Sequence, residues 1–303
     1  MMGRGEAHGK IILYGEHFVV HGAPAIAGGI TGKVTVEVKE SDQNRIITEH
    51  KVVEKMSLAS IERILAVMGI HERYDVHLTG DLRTYGGLGS SAAFCVALVK
   101  ALADEKDKHF TKQEINKYAY EGEKAFHGNP SGIDNTIASH GGVIVFRRGE
   151  TPEENKVDFI ELYKPLDFVV AWTGRYSETA KMVARVNKFK SQDEKEFAQL
   201  KDEYTDIAAH GRHAIERGKL EEIGNLMNSN QSLLAELGVS DESNEKVNRI
   251  ARDAGALGAK LTGGGGGGCC IALAKDAGHA EKIAEKLKEA GFDCFCTRIE
   301  KQD

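Results

Sequence analysis

The sequence predicts an α+β fold in two domains, on three observations. Segments with strand-like alternation, "KIILYGEH" (Lys10 to His17) and "KVTVEVK" (Lys33 to Lys39), open the chain. Long helical patterns follow without a regular β-α-β alternation. The end, "AKLTGGGGGGCCIALAKD" and then "HAEKIAEKLKEAGFDCFCTRIE", reads as strand, glycine loop, strand, helix and strand. With 303 residues, 41% of them hydrophobic, the chain can bury a large core, and its length suggests one large domain or two ordinary ones. The division is expected near the charged "GETPEENK" and Pro165, giving domains 1–165 and 166–303.

Between those ends, "SLASIERILAVMGI" (Ser57 to Ile70) has helical periodicity and "YDVHLTGDL" returns to strand. "TYGGLGSSAAFCVALVKAL" (Thr84 to Leu102) is a glycine turn, two serines and a helix with almost no polar face, so it is expected to be the most buried helix. Thr111 and Glu114 have capping-box spacing and start a helix through Phe126, which "HGNP" ends. "GGVIVFRRG" and "LDFVVAWTG" read as strands on either side of the charged loop. From Glu178 to Leu237 the pattern is helical and charged outside, broken at "ERGKLEE".

Composition removes several function classes. The 40 basic and 46 acidic residues give a formal charge of −6 without a basic block, so the footprint of a nucleic-acid binder is missing. No apolar run reaches the ~18 residues of a membrane span, and "MMGRGEAHGK" leads into a strand instead of a signal-peptide core, so a cytoplasmic location is expected. The five cysteines contain no CxxC pair, which favours buried free thiols on strands over zinc.

The chemistry is concentrated in a few places. "GGLGSSAA" could cradle an anion on the unpaired N–H groups of a helix start, or its serines could simply cap that helix. It fits the dinucleotide pattern G-x-G-x-x-A only weakly, because "TGDLRTY" separates the strand from the glycines; no G-x-x-x-x-G-K-[ST] occurs. Gly263 to Gly268 lie between tight apolar strands, which favours a structured loop over a linker. Such a loop lets its backbone approach a ligand or the first glycine loop. Lys10 precedes the first strand, with Glu16, His17 and His21 after it; this is not the order of H-E-x-x-H, so a zinc hydrolase is a poor reading. Glu123 falls on the edge of the apolar stripe of Ile115, Tyr118, Ala119, Gly122 and Phe126, either reaching solvent or held inward by a cation or donor. Asp134, eleven residues later, has capping-box-like spacing from Ser131; the same position would keep it ionised as a base or electrostatic partner. One lysine, two carboxylates, serine hydroxyls and two glycine loops are the groups that phosphoryl transfer needs.

Three blocks resemble the GHMP small-molecule kinase family: "GKIILYGEHFVVHG" (Gly9 to Gly22), "GGLGSSAA" (Gly86 to Ala93) and "KLTGGGGGGC" (Lys260 to Cys269). "HGNPSGIDN" (His127 to Asn135) and "NSNQSLLAELGVS" (Asn228 to Ser240) extend the similarity over most of the chain. The resemblance implies an N-terminal domain related to ribosomal-protein S5 domain 2 and a ferredoxin-like C-terminal domain. It implies ATP- and Mg²⁺-dependent phosphorylation of a small-molecule hydroxyl by a cytoplasmic enzyme, commonly a homodimer. Gly86, Gly87, Leu88, Gly89, Ser90 and Ser91 would wrap the ATP phosphates, and Ser91 with Glu123 would hold Mg²⁺. Asp134 would be the base at the acceptor hydroxyl, with Lys10 bridging it to the reacting oxygen. Glu16, His17, Thr179, Gly264 and Gly265 would bind the acceptor. The chain departs from the family at Ala7-His8-Gly9-Lys10, where Ala-Pro-Gly-Lys is common, and at Arg83, Thr84 and Tyr85, where Pro and small residues are common. Arg83 and Tyr85 would be either new ligand contacts or packing and solvated charge. A kinase of the same family acting on a phosphorylated acceptor would call for extra Lys or Arg near the acceptor site, where the first block offers His17 and His21. A binding protein that has lost catalysis would not need Lys10, Ser91, Glu123 and Asp134 intact.

Overall fold

A computed structural model describes residues 2–48, 54–82, 86–128, 130–151 and 154–301. The chain divides into two contact units. The first comprises Met1–Lys10, Thr31–Arg83 and Gly89–Gly141, and the second Ile11–Ile30, Thr84–Leu88 and Gly142–Asp303. This differs from a single division at residue 165: the last break falls between Gly141 and Gly142, and two earlier segments, Ile11–Ile30 and Thr84–Leu88, group with the C-terminal part of the chain.

In the first unit, β1 (Met2–Tyr14) contributes its residues up to Lys10 and β2 (Ala25–Ser41) its residues from Thr31. β2 pairs antiparallel with β4 (Arg73–Gly80), matching Val36 to Leu78 and Val38 to Val76, and β3 (Arg45–Ile47) adds to β4 in parallel. The helices are α1 (Glu54–Met68), α2 (Ser90–Glu105), α3 (Lys112–His127) and α4 (Ile133–His140). α1 and α2 pack on α3, and α4 packs on both α2 and α3. α2 is buried almost all round, from Ala92 to Leu102, as its lack of a polar face predicts. The Thr111–Glu114 capping box forms as expected: the Thr111 hydroxyl accepts from the Glu114 N–H at 3.2 Å and the Glu114 carboxylate accepts from the Thr111 N–H at 2.8 Å.

β1 begins at Met2, well before the expected strand. Its inward positions there are Gly3, Gly5, Ala7 and Gly9, so the alternation carries no large apolar residue to reveal it. The reason is close approach: a Cβ added to Gly3 or Gly5 would collide with the backbone oxygen of Ala101 or Ala97 on α2.

In the second unit, the first residues of β2 pair with β5 (Val143–Arg147), which pairs with β6 (Lys156–Ile160). A separate antiparallel sheet has the order β10-β7-β9-β8, formed by β7 (Leu166–Trp172), β8 (Gly258–Thr262), β9 (Cys269–Leu273) and β10 (Asp293–Ile299). The helices are α5 (Thr179–Gln192), α6 (Glu194–Glu216), α7 (Leu220–Glu236), α8 (Glu242–Asp253) and α9 (Ala277–Glu289). α7 and α8 pack on β8, and α9 packs on β7 and β10. Among the described residues, β3, β6, α8 and a short 3₁₀ helix at Phe18–His21 are new relative to the sequence reading. The helical stretch after Glu178 also breaks at Asp193, whose side chain caps α6 by accepting from the Glu196 N–H at 2.8 Å. Cys269, Cys270 and Cys294 are buried on strands as expected, but Cys95 lies on α2 and Cys296 is exposed. Among the described residues no helix is long and apolar enough to cross a membrane.

The turn after β1 is anchored by α6. The Tyr204 ring stacks on Phe18 at 4.5 Å, and its buried hydroxyl donates to the Pro24 carbonyl at 2.5 Å. Tyr204→Phe leaves that carbonyl without its donor, so urea denaturation should show a loss of about 1–3 kcal/mol; an unchanged midpoint and slope would mean the hydroxyl contributes nothing.

Candidate active site

α2 starts without a serine cap. Its N-cap is Gly89 in the left-handed region, φ 69°, and Ser90 and Ser91 are its first two helical residues. The serines are thus not spent on capping, which sets the capping reading aside. A Cβ on Gly89 would lie 2.9 Å from Lys10 Cγ, so the glycine also makes room for that lysine. Lys10 is buried, with Nζ 3.1 Å from Asp134 Oδ1. Asp134 is the second residue of α4, not the third, because Gly132 at φ 88° is the N-cap. Ser131 Oγ instead accepts from the Ile133 N–H at 3.4 Å, and no Ser131–Asp134 box forms. A carboxylate in the first turn of a helix is favoured by the dipole, and here it also meets a buried ammonium.

α3 holds Glu123 inward, at 1% exposure. Burial, and then the negative charge of Asp134, push its pKa up to about 8, against the opposing pull of the Ser91 hydroxyl, Lys10 and the Cys95 thiol. Cys95 donates to Glu123 Oε1 at 3.9 Å, and burial holds that thiol well above its ordinary pKa. One turn further along α3, His127 Nε2 lies 3.3 Å from Ser91 Oγ and 3.9 Å from Glu123 Oε2. The first unit therefore gathers Lys10, Ser91, Glu123 and Asp134 as expected, and adds His127 and Cys95. A surface cavity of about 670 Å³ in this unit, lined by residues such as Asn44, Glu62, Leu65 and Arg73, includes none of the expected site residues.

The second unit has its own cluster. The Glu16 carboxylate is fully buried against the Lys260 ammonium of β8, which also donates to the Leu261 carbonyl at 2.7 Å. His17 has φ 65°, rare for a residue with a side chain, and its Nε2 meets the Gly264 carbonyl at 2.9 Å. Burial lowers the His17 pKa to about 4, the hydrogen bond to Gly264 opposing. The six-glycine run is a structured loop. Asn244 clamps Gly267, donating to its carbonyl at 2.8 Å and accepting from its N–H at 3.1 Å. Ser177 Oγ donates to the Gly265 carbonyl at 2.5 Å. A Cβ on Gly263 would sit 2.7 Å from Gly87 Cα, so this loop does approach the first glycine loop. Thr179, the first residue of α5, is exposed; a Cβ on Gly264 would lie 2.5 Å from its Oγ1.

The model for the GHMP kinases N terminal domain matches residues 52–142, and that for the GHMP kinases C terminal matches 212–293. The mevalonate kinases of Aeropyrum pernix and Pyrococcus abyssi are each 33% identical to this chain, covering 98% of it and 95% of their own length. A crystal structure of L. major mevalonate kinase in complex with R-mevalonate superposes with a TM-score of 0.92 at 32% identity, over 99% of this chain and 96% of that one. The chain belongs to the GHMP kinase family. For this GHMP kinase the sequence reading missed Lys260, Asn244, Ser177 and His127. Lys260 left a trace, as a lone charge in the tight apolar strand "AKLT"; Asn244 and Ser177 act on residues far away in sequence and left none. Arg83 and Tyr85 lie outside the described residues.

Two tests address these clusters. Below the ordinary histidine value of 6.5, unfolded chains bind a proton at residue 17 that the folded protein refuses until pH about 4. Stability should therefore fall by up to about 3 kcal/mol from pH 6.5 down to 4, and urea titrations should show that slope reduced in His17→Gln; parallel profiles would contradict the burial. Gly89→Ala forces a side chain into the left-handed region against Lys10, so thermal melts should report a loss of at least about 1–2 kcal/mol.

Proposed function

We propose that this GHMP kinase is a mevalonate kinase, transferring the terminal phosphoryl group of ATP to the 5-hydroxyl of mevalonate to give 5-phosphomevalonate and ADP. The observation that carries the reading is the buried Lys10 ammonium 3.1 Å from Asp134, in a chain whose full-length relatives are mevalonate kinases. Asp134 accepts the proton of the acceptor hydroxyl, and Lys10 stabilises the oxygen that becomes negative. A fixed ammonium in a dry site does this better than a solvated one, because it needs no reorganisation during the reaction.

The residues fit a divalent metal. Ser91 and Glu123 offer oxygen donors, which suit Mg²⁺, and a carboxyl raised to about 8 by burial is a group that a cation returns to its ionised form. Mg²⁺, when bound with ATP, neutralises phosphate charge as the phosphoryl group moves. Ser91 and Glu123 would hold it. The amides of Gly86, Gly87, Leu88, Gly89 and Ser90 bind phosphate oxygens at the start of α2. In the second unit, Glu16, His17, Thr179, Gly264 and Gly265 are assigned to mevalonate, with Lys260 fixing Glu16 and the Gly264 carbonyl fixing His17. The resemblance also supports a cytoplasmic homodimer, which light scattering of the purified protein would test.

ADP release from Mg²⁺-ATP, with mevalonate, phosphomevalonate, homoserine or galactose at equal concentration, tests the reading. Mevalonate should drive turnover, and Asp134→Asn should lower kcat by about 10²- to 10⁴-fold with the fold retained, although the melting temperature should fall because the buried Lys10 ammonium loses its partner charge. Turnover with phosphomevalonate alone would assign the chain to a different kinase of the family; normal turnover in Asp134→Asn would remove that residue from the mechanism.

A further inference from the structure

Two described side chains, His127 and Cys95, join the candidate catalytic cluster without a role so far, and of the two it is His127 that meets Ser91. His127 is the last residue of α3, one helical turn past Glu123, so both side chains leave the same face of the helix. Its Nε2 meets Ser91 Oγ at 3.3 Å, while Glu123 Oε2 lies 3.9 Å from the same nitrogen. α2 and α3 pack against each other, so the contact is made by two rigid elements rather than by a loop.

A serine hydroxyl has one proton and two lone pairs. If it gives a lone pair to a cation, its proton must point elsewhere and needs an acceptor. Glu123, whose carboxyl the Ser91 hydroxyl also reaches, cannot serve as that acceptor with the lone pairs that face the same cation. The neutral imidazole of His127 can, provided its proton is on Nδ1 and Nε2 is free to accept. Partners of this kind, which orient a ligand without touching the metal, commonly change metal affinity by one to two orders of magnitude.

We propose that His127 is a positioning residue for the metal site: it accepts the Ser91 hydroxyl proton and so turns the serine lone pair toward the cation shared with Glu123. The inference rests on the proposed metal role of Ser91. His127 does not ligate the metal itself; a hard cation prefers the two oxygen donors.

The test is a double-mutant cycle read by Mn²⁺ affinity, with Mn²⁺ titrated by electron paramagnetic resonance onto protein saturated with a non-hydrolysable ATP analogue. His127→Leu should weaken Mn²⁺ about tenfold. His127→Gln, which keeps an acceptor at similar reach, should restore affinity to within about threefold. In a Ser91→Ala background, His127→Leu should have no further effect, because the proton it would accept is gone. If Ser91→Ala weakens Mn²⁺ while His127→Leu does not, or if the two losses add in full, the positioning role is overturned and the Ser91 assignment stands. If Ser91→Ala leaves Mn²⁺ affinity intact, the metal role of Ser91 fails and takes this inference with it. His127 is more than half exposed at a helix end, so the single variants should fold, and melting temperatures within a few degrees of the parent would confirm it.

Discussion

The close approach of β1 to α2 is the constraint on which the cluster of Lys10, Ser91, Glu123 and Asp134 depends. Gly3 faces Ala101 and Glu105, Gly5 faces Ala97 and Ala101, and Lys10 reaches Gly89, so strand and helix run in opposite directions with their backbones nearly touching. Lys100 reinforces the contact by donating to the Glu6 carbonyl at 2.9 Å. Lys10, further along the strand, is thereby set against the serines at the start of the helix. α3 and α4, packed on α2, then deliver Glu123 and Asp134 to the same place. The electrostatics follow from this packing: one buried ammonium faces two carboxyl groups. It pairs directly with Asp134, and the more deeply buried Glu123 has its pKa pushed up to about 8 by burial and by the charge of Asp134.

The second unit applies a different principle. Its glycine loop has no side chains to pack, and its shape is imposed from outside by Asn244, Ser177 and His17 on the backbone of Gly267, Gly265 and Gly264. Thr173 adds to this by donating to the Gly268 carbonyl through both its N–H and its hydroxyl. Six glycines in solution would be highly flexible. Here hydrogen bonds from four side chains hold them in one conformation, which is what backbone recognition of a ligand requires.

Much of this was legible in the chain. The apolar run after Ser91 announced a buried helix, Thr111 and Glu114 marked where α3 starts, and the strand, loop, strand, helix, strand order at the C-terminus was readable from periodicity. What stayed hidden had physical causes. The start of β1 packs through the absence of side chains, so its inner face looks like a glycine-rich tail. β3 has only three residues, and β6 follows a charged loop with mostly exposed positions, so neither has a periodicity to detect. Asp134 sits one position earlier in its helix than the Ser131 spacing suggests, because a glycine in the left-handed region does the capping. Lys260 was visible as an oddity, but its partner is 244 residues away in sequence, a pairing that no local pattern can encode.

That same distance has a consequence for how the protein is made. Neither Glu16 nor Lys260 can be buried as a charge without the other. At about 5–20 residues per second, the ribosome delivers Lys260 on the order of 12–50 s after Glu16. Throughout that interval the turn after β1 must stay hydrated, and its burial is deferred until the C-terminal sheet is synthesised. A nascent chain cut short before β8 would therefore keep Glu16 in water, unable to close the second unit, however well the helices of the first have already packed.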